Sequence, residues 1–257
     1  MKNLKVIITV LILGILKLSI AQYNSPPPPP PPQEGNVPPT GYLVFNLGIS
    51  QPMGGFAAEN GLGYSGYALP GNNLGLSLGM PVMHSNFGVA LMYNYSWNPQ
   101  DINGYVGNIQ YTDQSNTYYP ISQDAYRESF IMGGLFATIP IQRLSIDFRL
   151  MGGVAICSLP EIDYGENSTS VTASQDFEWD TYSSTSSSFA TDIGAGLRFR
   201  LRRTVLMAGM DYIYADPMVS TTQHYTDQYG NSTYTHVGGT IPISMVSYSL
   251  GIGYVLR

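Results

Sequence analysis

Residues 243–257 read ISMVSYSLGIGYVLR. Taken every second position, Val246, Tyr248, Leu250, Ile252, Tyr254 and Leu256 share one face. Ser247, Ser249, Gly251, Gly253 and Val255 share the other. A period of two marks a β-strand. In a soluble barrel the bulky face would point inward and the outer face would carry charge. Here the second face has almost nothing to offer water. The stretch suits lipid on its bulky side and a crowded lumen on its small side.

The same alternation recurs upstream. It predicts strands near 42–50, 73–82, 87–97, 128–139, 143–156, 189–201 and 204–214. Leu43, Phe45, Leu47 and Ile49 form the bulky face of the first, and Leu74, Leu76, Leu78 and Met80 that of the second. The fourth is the least clean, because Gly133 and Gly134 blur its faces. Most of these segments are close to the roughly 9–11 residues that a tilted strand needs to cross a bilayer. The opposite faces are rich in Gly, Ser and Ala, which would leave a soluble core underfilled. They fit the narrow interior of an eight-stranded barrel better.

Connection lengths point the same way. Short turns are expected at 84–86, 140–142 and 202–203, and long polar loops at 51–72, 98–127, 158–188 and 216–240. Short periplasmic turns and long extracellular loops characterise outer-membrane barrels. An even strand number puts both ends of the barrel on the turn side, and pairing the last strand with the first removes edges that lipid cannot satisfy. Outward aromatics support two girdles: Tyr93, Tyr95, Trp97, Tyr212 and Tyr214 towards the loop end, and Phe87, Phe199 and Tyr254 at the turn end. The expected fold is all-β: an eight-stranded antiparallel up-and-down transmembrane barrel over 41–257.

Two segments precede it. Residues 1–21 read as a signal peptide: Lys2 and Lys5, an apolar run from Val6 to Leu16, and the small-x-small site Ser19-Ile20-Ala21. Lys17 and the short apolar run argue against a retained helix. Residues 22–40 contain the unbroken run Pro26–Pro32, a polyproline II rod about 20 Å long that serves as a tether or as a docking segment. Cleavage would remove every lysine, since these are Lys2, Lys5 and Lys17. The remainder holds 8 Arg against 17 acids, a net charge of 8 − 17 = −9, which disfavours nucleic acid as a partner.

On these patterns, and on the ending Leu250-Gly251-Ile252-Gly253-Tyr254, the stretch from Gly41 to Arg257 resembles the OmpA-type family of small outer-membrane barrels, including the outer-membrane β-barrel group of Bacteroidota. The resemblance implies an outer-membrane location among lipids and lipopolysaccharide, and recognition by the barrel-assembly machinery. The family's usual terminal aromatic is absent, because the chain ends Val255-Leu256-Arg257.

Candidate functional residues fall into two groups. Asp147, Arg149, Asp192, Arg198, Arg200 and Asp211 lie on the small faces of three strands expected to be neighbours. They suggest an ion-paired network in the lumen, acting as a plug or as a polar path. The loops are acidic, with twelve carboxylates from Glu59 to Asp227 against Arg127 alone. The densest run is Asp176-Phe177-Glu178-Trp179-Asp180. A Ca²⁺ site there competes with a plain solvated surface, and no D-x-D-x-D-G spacing supports the former. Richness in Tyr, Ser, Thr and Asn also suits recognition of an extracellular ligand.

The single cysteine, Cys157, excludes an intrachain disulfide and reads as a buried residue. Neither a G-x-S-x-G elbow nor an H-E-x-x-H motif occurs, and His84, His224 and His236 are scattered. The expectation is a non-enzymatic protein without metal or cofactor. Its role would be structural, or surface interaction through the loops. The alternatives are a narrow channel for small or hydrophobic solutes and a soluble, lipocalin-like binding barrel. The last requires apolar faces turned inward.

Overall fold

The computed structural model describes residues 40–256, apart from 60–64, 84, 113, 115, 169–175, 183 and 227–231. The signal-peptide and proline-run segments lie outside the described residues. Eight strands close into an antiparallel barrel. They are β1 (Gly41–Pro52), β2 (Gly71–Pro81), β3 (Phe87–Pro99), β5 (Ala125–Ile141), β6 (Leu144–Ser158), β9 (Thr185–Leu201), β10 (Thr204–Ala215) and β13 (Ile243–Leu256). β1 pairs with β13 from Gly41↔Leu256 to Pro52↔Met245, so no barrel edge is left open. Among the described residues no helix is long and apolar enough to cross a membrane, which concerns helices alone.

Side-chain direction follows the sequence pattern. Leu47, Leu91, Leu135, Leu150, Ile193 and Leu250 all point outward, and Leu250 is 72% exposed. The partner faces point inward and are buried. A soluble, inward-apolar barrel is therefore excluded: the apolar belt is on the outside. Water would penalise that belt at roughly 25 cal/mol per Å², whereas a bilayer accepts it.

The fourth predicted strand corrects the sequence reading. Alternation in β5 is unbroken, with Tyr126, Phe130, Met132 and Phe136 inward and Ile131, Leu135 and Ile139 outward. Gly133 and Gly134 form no break; each takes its place in the alternation. Nor is the lumen filled by small residues alone. Bulky side chains stand opposite glycines that make room for them. A Cβ on Gly79 would meet the Tyr42 ring at 2.4 Å, and one on Gly88 the Phe136 ring at 2.4 Å. Large-against-small packing is how a narrow interior reaches protein density.

The loops differ most from expectation. Three of the four form structure of their own. β4 (Asn116–Gln123), β7 (Ile162–Ser168), β8 (Asp176–Tyr182), β11 (Met218–Thr226) and β12 (Ser232–Thr240) make a second sheet in the order β12-β11-β8-β7-β4. Each lies next in sequence to a barrel strand, so the sheet continues the wall on the side of β5, β6, β9, β10 and β13. Polar alternation in water needs no apolar belt, so these strands gave no lipid-type pattern. Helix α2 (Ile102–Thr112) packs Ile102 and Val106 against Ile162 and Tyr164 of β7. The remaining loop turns inward through the short helix α1 (Gly54–Ala57).

Candidate functional site

Three layers of side chains cross the lumen. At the turn end, Arg198 Nε lies 3.0 Å from Asp147 Oδ2, and Arg198 Nη2 donates to Asp147 Oδ1 at 3.1 Å. Thr138 Oγ1 also donates to Asp147 Oδ1, at 2.6 Å. The Arg198 guanidinium sits 4.5 Å from the centre of the Tyr42 ring, within cation–π range. Tyr42 in turn meets Phe136 edge to face at 6.0 Å. These groups cross the barrel floor.

The middle layer is polar. Arg149 Nη2 donates to Asp211 Oδ1 at 2.6 Å, and both side chains are buried. Gly194 is required here, because a Cβ would fall 2.0 Å from Asp211 Oδ1 and 3.2 Å from Arg149 Nε. Asn46 Nδ2 donates to Ser77 Oγ, and Asn73 Nδ2 to Ser247 Oγ. A cavity of about 10 Å³ remains among Asn46, Asn73, Asn94, Arg149, Asp211 and Ser249. That is on the order of one water molecule.

The upper layer is apolar and comes from loop and barrel together. Phe56 of α1 is fully buried in the mouth, its ring 5.0 Å from that of Tyr126 in an edge-to-face contact. The loop is pinned to the wall at three points. Met53 N donates to Ser244 O at 2.8 Å, and Ser244 Oγ returns a bond to Met53 O at 2.7 Å. Tyr126 Oη donates to Gly66 O at 2.7 Å. Asn98 Nδ2 donates to Leu69 O at 2.9 Å. Beneath this cap Ser96 Oγ donates to Glu128 Oε2, and Cys157 is buried beside it on β6.

The structure sorts the six charged residues read from the sequence. Asp147 with Arg198 and Arg149 with Asp211 form two pairs at different depths. Asp192 faces the same interior and is fully buried, but its two oxygens receive no hydrogen bond from the described residues. Arg200 does not belong with them. It lies at the end of β9, half-buried, with its Nε near Arg202 O at 3.4 Å. Parity placed Arg200 on the inner face, but the strand reaches the turn before that face reaches the lumen.

The aromatic set Tyr93, Tyr95, Trp97, Tyr212, Tyr214, Phe87, Phe199 and Tyr254 points outward throughout, and Tyr95 and Trp97 lie 6.0 Å apart. Phe56 and Tyr126 carry the cap and were missed. The only sequence signal was a lone aromatic within Gly54-Gly55-Phe56-Ala57-Ala58. Helix α2 left a clearer one: Asp101 caps it through Gly104 N→Asp101 Oδ1 at 3.0 Å, followed by Ile102, Tyr105, Val106 and Ile109 at helical spacing.

Outside the barrel, four tyrosines form a chain from loop to sheet. Tyr67–Tyr105, Tyr105–Tyr164 and Tyr118–Tyr164 ring centres are 5.5, 6.0 and 6.2 Å apart. Burial raises the pKa of Tyr105 and of Tyr164 above the ordinary phenol value. His224 stacks on Tyr234 at 4.7 Å, and His236 Nδ1 lies 2.9 Å from Thr222 Oγ1, both within the β11–β12 hairpin. The acidic run Asp176–Asp180 forms most of β8, and its side chains lie outside the described residues. Among the described residues no three His, Cys, Asp or Glu side chains are grouped to hold a metal.

No family model matches the chain, and no curated protein sequence matches it. Solved structures do. Neisserial surface protein A is 12% identical, with 84% of this chain and 97% of that one covered and a TM-score of 0.47. A major outer membrane protein from Thermus thermophilus is 12% identical, with 84% and 99% covered and a TM-score of 0.46. Ail of Yersinia pestis, solved with the heparin analogue sucrose octasulfate, is 13% identical, with 84% and 99% covered and a TM-score of 0.39. Likeness at this level carries no information on what this chain binds or does.

Proposed function

We propose that the chain is an outer-membrane barrel of the OmpA type that does not conduct and acts through its extramembrane sheet. The observation that carries this reading is the three layers of side chains across the lumen, with Phe56 drawn into the mouth while three neighbouring hairpins continue beyond it. A channel would put its polar residues around open space. Here Arg149 and Arg198 are each paired with an aspartate, and the polar cavity beside Arg149 and Asp211 is about the size of a water molecule.

The exposed belt and the short turns orient the molecule, with turns in the periplasm and the sheet outside. Outer-membrane lipids and lipopolysaccharide are its surroundings, and the barrel-assembly machinery inserts it. Hydroxyl-rich strands such as β12 offer the sheet for surface contact with an extracellular ligand. No catalytic constellation is part of this reading.

The test is conductance of the refolded chain in a planar bilayer, after folding has been checked by heat-modifiable gel migration. A folded and silent barrel supports the reading. Steady discrete channels would replace it with transport, and Arg149 and Asp211 would then line the pore.

A further inference from the structure

Arg200 leaves the lumen for the turn end, and it has company there. Arg143 sits in the β5–β6 turn, and Arg202 and Arg203 form the β9–β10 turn. Pairing of β6 with β9 makes these turns neighbours, and Arg200 N donates to Arg143 O at 2.8 Å. Arg143, Arg202 and Arg203 are exposed. Residues 139–146 (IPIQRLSI) and 199–206 (FRLRRTVL) contain four arginines and no acid, and the third turn, 81–88, also lacks one. Among the described residues, the loops at the opposite end carry acids such as Asp101, Asp124, Glu161 and Asp163. Charge among the described residues is thus divided between the two ends.

Immediately beyond the arginines the wall turns apolar. Ile139, Ile141, Phe199, Leu201 and Leu206 are exposed on the outer face of the same two hairpins. A cationic rim beside an apolar wall matches a molecule with an anionic head and hydrocarbon chains. Guanidinium groups bind phosphate oxygens through paired N–H donors. A soluble anion would use the rim and leave the wall unused.

We propose that the exposed Arg143, Arg202 and Arg203 form a binding site for the phosphate headgroup of an anionic phospholipid in the periplasmic leaflet. Its acyl chains lie along Phe199, Leu201 and the neighbouring isoleucines. This inference rests on the membrane reading above. The turn itself supplies a clean probe. Arg202 has φ +53°, in the left-handed region where glycine is the least strained residue. Arg202→Gly therefore removes a cation while easing the backbone.

The experiment is native mass spectrometry of the refolded chain, titrated with phosphatidylglycerol and with phosphatidylcholine. The site retains phosphatidylglycerol in preference. Each arginine near an anionic headgroup contributes roughly fivefold, so Arg202→Gly loses about that factor with thermal stability unchanged or raised. The triple Gln variant loses at least about tenfold and the triple Lys variant keeps most of the preference, since charge dominates at the surface. The proposal is overturned if the wild type shows no headgroup preference, or if the Gln variant keeps it. Displacement of the lipid by millimolar inorganic phosphate would identify a soluble anion as the occupant and also overturn it. A chain that never inserts into lipid, seen as unmodified gel migration, defeats the membrane reading itself.

Discussion

The barrel and the sheet above it are built from the same hairpins under different solvents. In the barrel every strand has two neighbours, because lipid offers no hydrogen bonds and an open edge would be costly. In the sheet two edges are tolerated, β4 and β12, because water satisfies them. The edges are not alike. β4 carries Pro120 and a register shift between Pro120 and Ser122. The Gln110 side chain of α2 also occupies its backbone, donating to Asn116 O at 2.6 Å and accepting from Tyr118 N at 2.8 Å. These are devices that blunt an edge. β12 has nine residues, no proline and no charged Asp, Glu, Lys or Arg. Closure protects the lower region, and side chains protect one margin of the upper one.

The largest effect should come from breaking the barrel's interior charge balance. Arg149→Ala leaves Asp211 and Asp192 buried without their cation and should cost about 3–5 kcal/mol. Unfolding in urea, followed by gel shift in lipid vesicles, measures it. The sheet contributes nothing to that cost, so a variant lacking β11 and β12 should lose the same amount. Next comes the belt. Leu250→Arg puts a charge against lipid and should cost about 2–4 kcal/mol if the residue lies near the midplane. The same protein in a detergent with a mobile, hydrated micelle should lose much less. An equal loss in both media would mean that the outer face is not a lipid face.

The barrel was legible in the sequence because lipid imposes a strict rule on it. Leu250, Ile252 and Tyr254 had to alternate with Ser249, Gly251 and Gly253, and only a membrane wall asks for bulk outside and smallness inside. Two ion pairs were legible in part, since parity alone puts Asp147, Arg149, Arg198 and Asp211 on one face. Parity says nothing of depth, which is why Arg200 was grouped with them. The cap was not legible. Phe56 is buried by a loop that folds back, and no periodicity records that. The sheet was hidden for a different reason. Its strands face water on much of their surface, so residues such as Ser232–Thr240 read as polar loop.

The comparison sharpens at α2, which packs on the sheet and, through Tyr105 and Asn108, against Tyr67 of the first loop. Val106→Ala removes buried methyl groups facing β7 and should cost about 1–2 kcal/mol. That loss should appear in the sheet and not in the barrel. Hydrogen exchange followed residue by residue should show faster opening of β4 and β7, while the β3–β5 and β6–β9 amides of the barrel keep their protection. In the unaltered protein β12 amides should exchange before those of any barrel strand. Coupled acceleration across both regions would show that they open as one unit.

The smallest effect is one of pH, and it should also separate the regions. Tyr105 and Tyr164 lie outside the membrane, and burial raises both phenols above the ordinary value near 10. A buried acid with a raised pKa binds its proton more tightly when folded. Its contribution is therefore intact below the unfolded value and declines as pH climbs past about 10. The sheet and α2 should loosen in that alkaline window while the barrel stays closed. Near-ultraviolet circular dichroism reports the tyrosine packing, and gel migration reports the barrel. Tyr164→Phe removes one ionisable group from the contact with Tyr105 and Tyr118 and should move the loosening to higher pH. A barrel that unfolds together with the sheet, or a Tyr164→Phe variant with an unshifted transition, would show that the tyrosine chain does not set the sheet's alkaline limit.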